Sequence, residues 1–424
     1  MKKIIAEQFE VLVIGGGPAG LMAAGRAAEK GARVALVEKN DRYAIKLLMT
    51  GNGRCNITQE VDSVVELSRI YKNGRFLLSS LTAFEPNRMR GFLRSRGLET
   101  KVERNEKVYP VTDQASDVVE ILYQYCRENM VTFFNTEDVV DIVKGNGIIE
   151  KIITKKKEIS AEKYILATGG KSYPQTGSNG EGYKWAHKLG HTIIEPQAQL
   201  VPIKVIETWP SELQGIAAHG VGFHVYQNGK KLASNIGDIM FAHYGFSGPL
   251  ALNISRDIQK VISSGAVKLV LDIKPHLSFE QVDEAVRRDL EKNGGKNIAN
   301  CLGDIASQKM LEQIFKLSSV DVTKHAAKIS KEERQKISKL FKNIEFTVNG
   351  EEFFGFEKAM VTSGGVSTKE IDSKTMKSKL IDNLYFAGEI IDVDGPTGGY
   401  NLQICWSTGY VAGDNASRKE VTLQ

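Results

Sequence analysis

The chain has 424 residues, 42% of them hydrophobic and 25% charged, the composition of an ordinary globular protein long enough for two or three lobes. With 56 basic against 51 acidic residues the net charge is only +5, and the pI is near 8.7, too mild a balance to point to a nucleic-acid partner. Four cysteines, Cys55, Cys126, Cys301 and Cys405, form no CxxC pair, which argues against a zinc clamp or a redox dithiol and fits a reducing cytoplasm.

Near the N-terminus, Lys2-Lys3 precedes an uncharged stretch, Val11 to Gly25, but Glu7 and Glu10 precede its apolar core and glycines interrupt it. That is unlike a signal peptide, and too short to span a bilayer, so a cytoplasmic protein without a membrane partner is expected. Phe9 to Ile14 reads as a buried strand, Pro18 to Lys30 as an alanine-rich helix and Ala32 to Glu38 as a second strand. Between strand and helix stands Gly15-Gly16-Gly17-Pro18-Ala19-Gly20, so the segment opens like a Rossmann unit. Gly15 permits the tight turn, Gly17 leaves room for a pyrophosphate at the helix N-terminus, and Gly20 lets helix and strand pack closely. Glu38 stands eighteen residues after Gly20, where its carboxylate can accept bonds from a ribose or simply end a solvated strand.

Gly51-Asn52-Gly53-Arg54-Cys55-Asn56 suits backbone passing close to a ligand. Arg54 there either faces a phosphate or substrate carboxylate, or forms a structural ion pair. Cys55 reads as a small buried residue rather than a nucleophile. A helix over Val111 to Asn129, opened by Thr112-Asp113, precedes short β-rich runs with Asn146-Gly147 between two of them, a hairpin signal. This is read as a three-stranded meander, with Lys155-Lys156-Lys157 at a solvated hairpin tip and Lys163 to Thr168 returning as a strand that ends at Gly169-Gly170. His187 and His191 are four apart, but without a third ligand they read as a helix face and no metal is expected.

From about Pro196 to Phe346 strand-like and helix-like pieces mix without a glycine fingerprint. Near the C-terminus Leu384 to Phe386 reads as a strand ending in Gly388-Glu389, whose carboxylate could bind ribityl hydroxyls. Gly398-Gly399-Tyr400-Asn401 then opens a helix, either as a plain turn or as a dipole facing a flavin's pyrimidine edge. Two glycine-rich segments that share one nucleotide point to FAD rather than NAD.

Together GGGPAG, GNGRCN, VYP, ATGGKSYPQTGSNGEGY, FAHYGFSGP, VTSGGV and LYFAGEIIDVDGPTGGYNLQ, running from Gly15 to Gln403, resemble the BaiN-like NAD(P)/FAD-dependent oxidoreductases, also called aminoacetone-oxidase-family FAD-binding enzymes. The resemblance implies an α/β fold, a glutathione-reductase-like FAD-binding Rossmann domain interrupted by an inserted β-barrel. The change of texture sets the bounds, with the FAD-binding domain and its β-meander at 1–195 and 347–424 and the inserted β-barrel plus helical substrate lobe at 196–346. The resemblance also implies FAD contacts at Gly15, Gly17, Ala19, Glu38, Lys39, Gly53, Arg54, Asn56, Gly169, Gly388, Glu389, Gly399, Asn401 and Leu402, to which the glycine motif itself adds Gly20. Ala44-Ile45 replace a glycine and a basic residue usual before Lys46, and Cys405 replaces a common alanine. The implied activity passes hydride from NAD(P)H, bound transiently, through flavin to an organic acceptor such as an enone of steroid or bile-acid type. The ATGG and GEI segments are more distantly similar to fumarate-reductase flavoproteins. His243, Tyr244 and Ser247 are the substrate-facing candidates, though His243 could instead order its loop. The alternatives are a flavin-dependent amine oxidase producing H2O2, an RNA-modifying flavoprotein and a non-catalytic FAD sensor. A small-molecule substrate, and no nucleic acid, is expected.

Overall fold

The structure, a computed structural model, describes residues 8–350 and 353–419; Lys2, Lys3 and Glu7 of the leader argument lie outside them. The described residues form two compact units, one of residues 8–199 with 356–419 and one of residues 200–350 with 353–355.

The first unit opens with β1 (Gln8–Ile14), α1 (Pro18–Glu29) and β2 (Val34–Val37), all apolar on the sheet side. α2 (Ile45–Leu48) leads to β3 (Thr58–Gln59), then helices α3 (Val64–Ile70), α4 (Gly74–Ala83) and α5 (Pro86–Arg94). β4 (Thr100–Glu103) and β5 (Lys107–Pro110) pair antiparallel, and β5 also pairs β3. α6 (Ala115–Glu128) starts later than Thr112-Asp113 suggests: its N-cap is Gln114. Asp113 takes a left-handed backbone (φ 56°) and gives its carboxylate to Arg54 and Lys101 instead of capping the helix.

β6 (Thr132–Phe134) joins β2 in parallel, and β7 (Val139–Gly145) and β8 (Ile148–Thr154) turn at Asn146-Gly147, both with positive φ as a tight hairpin requires. β9 (Glu158–Leu166) differs from the expected pair of strands. It is one continuous strand whose first two residues, Glu158 and Ile159, close the meander against β8 and whose remainder, from Ser160, lies parallel to β1. Its ends have different jobs because Ile159 packs in the meander, whereas Tyr164, Ile165 and Leu166 are fully buried in the main sheet. α7 (Glu181–Lys188) and β10 (Ile193–Gln199) end the first segment. His191 therefore lies beyond α7 rather than on a face shared with His187.

In the second unit, β11 (Ile203–Lys204), β12 (Ala217–Gln227), β13 (Lys230–Ala242), β14 (Gly245–Ser247), β15 (Val267–Asp272) and β16 (Ile344–Val348) form one antiparallel sheet in the order β11-β14-β13-β12-β15-β16. A backbone bond from the Ile206 N–H to the Thr347 carbonyl (2.9 Å) draws its two ends together, so the sheet nearly closes into a barrel. α8 (Pro249–Gln259) packs on β13, while α9 (Phe279–Lys292), α10 (Gln308–Ser318) and α11 (Lys331–Lys342) form the helical part. Capping boxes at Ser278 with Gln281 and Ser330 with Glu333 fix the starts of α9 and α11. Phe223, Phe241, Phe246 and Phe346 fill the barrel interior.

The first unit resumes with β17 (Val361–Val366), which pairs β10, then β18 (Leu384–Phe386), parallel to β9, and α12 (Tyr400–Ala416). Among the described residues no helix is long and apolar enough to cross a membrane.

Candidate functional site

Four parallel strands end in one row. Val37 of β2 lies opposite Ile14 of β1, Ile14 opposite Leu166 of β9, and Leu166 opposite Phe386 of β18. The residues that follow, Glu38, Gly15, Ala167 and Ala387, line the carboxyl edge of the sheet, where open α/β sheets bind ligands. The motifs that seem scattered in sequence are therefore adjacent in the fold.

The glycines of the first motif do three different things. Gly15 has φ 102°, and a Cβ there would meet the Ala167 carbonyl oxygen at 2.6 Å. At Gly20 a Cβ would lie 1.9 Å from the Gly15 carbonyl oxygen, so this glycine lets α1 seat against the turn. Gly17, the N-cap of α1, has no heavy atom within 4 Å of its Cβ position and no side-chain cap. It opens onto free space in front of a helix N-terminus, whose first N–H groups have no partner within the helix. Glu38 is only 8% exposed, which removes the solvated strand end: its carboxylate accepts the Gly16 N–H (2.7 Å) and the Asn40 N–H (2.9 Å). Lys39 is held by Glu181 at 2.8 Å.

The C-terminal motif meets the first one directly. A Cβ on Gly388 (φ 78°) would lie 2.7 Å from the Ala19 Cβ, and the Gly388 N–H donates to Thr408 Oγ1 (2.9 Å). α12 is locked on α1 through Gly409 and Gly413, where a Cβ would come within 2.5 Å of the Ala19 carbonyl oxygen and 2.3 Å of the Ala23 carbonyl oxygen. Glycine at i and i+4 faces one side of a helix, which is the periodicity that reveals this contact in the sequence.

Glu389 is more constrained than expected. Its carboxylate accepts from Lys46 Nζ (2.8 Å), Ser172 Oγ (2.9 Å) and the Thr362 N–H (2.8 Å), and Lys46 also touches Ser172. Thr362 Oγ1 in turn accepts the N–H groups of Lys171 and Ser172 (2.8 and 3.1 Å). Lys46, Ser172 and Thr362 thus fix Glu389 from α2, from the 167–183 segment and from β17, and no local pattern announces them. Gly169 (φ 70°) sits beside Ser178 and Glu389.

Gly399 caps α12 with φ 93°, and a Cβ there would strike Thr58 of β3. The Asn401 amide is engaged in its own loop, accepting the Gly395 N–H and donating to the Gly395 and Pro396 carbonyls, with Leu402 half-buried beside it. Lys72 and Asn73 strap the same loop: Lys72 Nζ pairs with Asp392 (2.7 Å) and Asn73 donates to the Asp392 carbonyl (2.7 Å).

In the GNGRCN segment Gly51, Asn52, Gly53 and Cys55 all have positive φ, a tightly folded loop. Arg54 is an ion-paired residue, bonded to both Glu103 and Asp113 (2.6 Å to the latter) with its guanidinium 4.2 Å over the Tyr109 ring. Cys55 is fully buried, and burial pushes its thiol up to about 12, as an inert packing residue requires. His191 is buried, bonded through Nε2 to Ser378 Oγ (2.9 Å) with Glu370 3.4 Å from Nδ1. Among the described residues no group of three metal-binding side chains gathers.

The residues present fit an extended dinucleotide: open space at Gly17, a capless helix N-terminus beside it, and two buried oxygens, Asn56 Oδ1 and Thr168 Oγ1, without hydrogen-bond partners.

In the second unit, His243 and Tyr244 are the two-residue turn of the β13–β14 hairpin, between Ala242 and Gly245. Their rings meet edge to face at 4.8 Å; His243 is exposed and Tyr244 half-buried, bonded to Ser247. The hairpin therefore brings the three candidates together.

Fold and cradle define a Rossmann-type flavoprotein of the oxidoreductase class. The chain belongs to the family described as HI0933-like protein Rossmann domain, which matches residues 9–415. It is 32% identical over 412 residues to the 3-dehydro-bile acid delta(4,6)-reductase of Clostridium scindens, covering 96% of this chain and 98% of that one. It is 28% identical over 407 residues to a ribosomal RNA dihydrouridine synthase of Escherichia coli, covering 95% and 97%. Its fold is similar to 3-ketosteroid delta1-dehydrogenase from Sterolibacterium denitrificans, with a TM-score of 0.55 at 13% identity over 97% of this chain and 99% of that one.

Proposed function

We propose that the chain holds FAD in the cradle at the sheet edge and uses it to reduce a carbon–carbon double bond conjugated to a carbonyl, with NAD(P)H as transient reductant. The observation that carries this reading is the junction of the two glycine motifs, Gly388 against Ala19, at the ends of four parallel strands. Bound FAD would accept hydride from the nicotinamide and release it to the acceptor carbon.

The chain's own residues would bind and tune. The α1 N-terminus at Gly17 would receive the pyrophosphate, and Gly15, Ala19 and Gly20 set that turn. Glu38, flanked by Lys39, would accept from the adenosine ribose, and Gly169, Gly388 and Glu389 would hold the ribityl chain, with Lys46 and Ser172 keeping the Glu389 carboxylate in place. Gly53 and Asn56 add backbone and amide contacts, and Arg54 acts from its ion pair by ordering that loop. Gly399, Asn401 and Leu402 present the α12 N-terminus, whose dipole favours negative charge on a nearby ring.

His243, Tyr244 and Ser247 remain the candidate proton donors for the second carbon. Burial raises the Tyr244 pKa above that of a free phenol, although Ser247 opposes the shift, so the hydroxyl keeps its proton at neutral pH. The two relatives' names share this chemistry: a 3-oxo-4,6-diene and a uracil ring both carry C=C conjugated to C=O. A bile-acid or steroid enone is the leading acceptor. A uracil in RNA is the second reading, supported by the full-length likeness to the rRNA dihydrouridine synthase.

Anaerobic mixing of the FAD-loaded protein with NADH or NADPH tests it. Flavin bleaching, then reoxidation by a 3-oxo-Δ4 steroid or by uridine-containing rRNA fragments, is expected, and the acceptor that works names the class. No bleaching by either nicotinamide, or reoxidation by oxygen alone with steady H2O2, would overturn the reading.

A further inference from the structure

A cavity of about 300 Å³ opens at the far ends of α1 and α12, lined by Arg26, Arg88, Gly91, Arg96, Tyr125 and Tyr410 among others. It is separate from the strand-end cradle. Arg26 is nine residues along α1 from Gly17, and Tyr410 eleven along α12 from Gly399, roughly 13–17 Å at 1.5 Å per residue. Its walls are guanidinium planes on aromatic rings: Arg26 lies 4.4 Å and Arg88 5.5 Å over Tyr410, and Arg96 lies 4.2 Å over Phe92 and 4.5 Å over Tyr125.

The charges here are unevenly matched. Arg26 takes both nearby carboxylates, Glu29 at 2.6 Å and Asp414 at 2.5 Å. Among the described residues no carboxylate pairs with Arg88 or Arg96. Arg88 reaches only the Ala83 carbonyl, and Arg96 Nε is buried without a hydrogen-bond partner. Arg96 Nη1 makes only a long bond to Ser95 Oγ (3.4 Å), and the two guanidinium groups leave the cavity wall with positive charge that no carboxylate among the described residues balances. Guanidinium groups match planar oxyanions, and the flat walls match a flat ring. The volume stands at the lower end for small-molecule sites, enough for one ring with its acid group.

We propose that this cavity is a second ligand site, for a small aromatic oxyanion, a carboxylate or phosphate on a flat ring. Both helices that carry glycine motifs at their N-termini line this cavity, α1 through Met22, Arg26 and Glu29 and α12 through Tyr410, so an occupant would bear on that helix pair. The site stands on its own geometry and does not depend on what the cradle binds.

Isothermal titration of the FAD-loaded protein with benzoate and with phenyl phosphate tests it, against benzamide and benzylamine as neutral and cationic controls. One anion per chain is expected, and whichever anion binds more tightly identifies the acid group. Arg88→Gln, at an exposed position, removes one unpaired charge. Gly91→Phe fills the cavity, since a Cβ at Gly91 meets no heavy atom within 4 Å and the variant can fold. Each should weaken anion binding roughly tenfold or more with melting temperature and FAD content unchanged. No saturable heat from either anion, equal binding of benzamide, or undiminished affinity in Gly91→Phe would overturn the proposal.

Discussion

Alanine at Gly17 and alanine at Gly20 should separate ligand space from packing space, although both belong to one motif. Gly17 has φ −75° and ψ −178°, open to any residue, and its Cβ position is clear of protein atoms to 4 Å. Gly17→Ala should therefore leave the unliganded protein within about 1 kcal/mol of its parent, because the helix cap is weakened only slightly. On the proposed reading its methyl would stand where the FAD pyrophosphate approaches the backbone. A crowded contact of that kind costs about 1.5–3 kcal/mol, or roughly ten- to hundredfold in FAD affinity. Gly20→Ala brings a methyl 1.9 Å from the Gly15 carbonyl oxygen, a backbone atom that cannot swing away. It should destabilise the unliganded protein by about 3 kcal/mol or more. Chemical denaturation of FAD-free protein and equilibrium titration of FAD measure the two effects separately. Tight FAD binding by Gly17→Ala, or unaltered unliganded stability in Gly20→Ala, would refute the division of roles.

Lys46→Met should leave the largely buried Glu389 carboxylate with only Ser172 and Thr362 as donors, lowering stability by about 1–3 kcal/mol with weaker FAD retention; an unchanged melting temperature would contradict the network. Gly413→Leu would force α12 off α1 at Ala23, and differential scanning calorimetry should show a loss above about 3 kcal/mol together with loss of bound flavin. Burial holds His191 below the usual histidine value, with Glu370 opposing. The unfolded chain then binds the proton more readily, so His191's contribution is complete above about pH 6.5 and declines as pH falls below it. Denaturation curves across that range should steepen toward acid in the parent and flatten in His191→Gln; parallel curves would show that the ring does not titrate on unfolding.

The opening strand, turn, helix and strand were legible because apolar runs and glycines there follow local rules that tertiary contacts only reinforce. The Asn146-Gly147 hairpin was readable for the same reason. β13, the longest strand of the second unit, was not, since Lys230 to Gly237 is largely exposed and lacks an apolar alternation. α10 went unread as well, its polar start hiding a buried Ile314 and Phe315. β9 was read as two strands because nothing in its sequence marks where one partner gives way to another. At the site, the glycine, Glu38 and Glu389 positions were visible as motifs. Lys46, Ser172, Thr362 and the Lys72 strap were not, because their meaning lies in contacts with residues remote in sequence, 27 positions away for Thr362 and 343 for Lys46.

The tight seating of Gly409 and Gly413 on the α1 backbone has a consequence for biosynthesis. A ribosome delivers α1 almost four hundred residues before the helix that must lie against it. Until then the amino-terminal turn has no counterpart, and a growing polypeptide can offer the nucleotide only half a grip. On the proposed reading, firm cofactor capture is thus deferred until α12 has been made, and chains cut short before Tyr400 should emerge colourless.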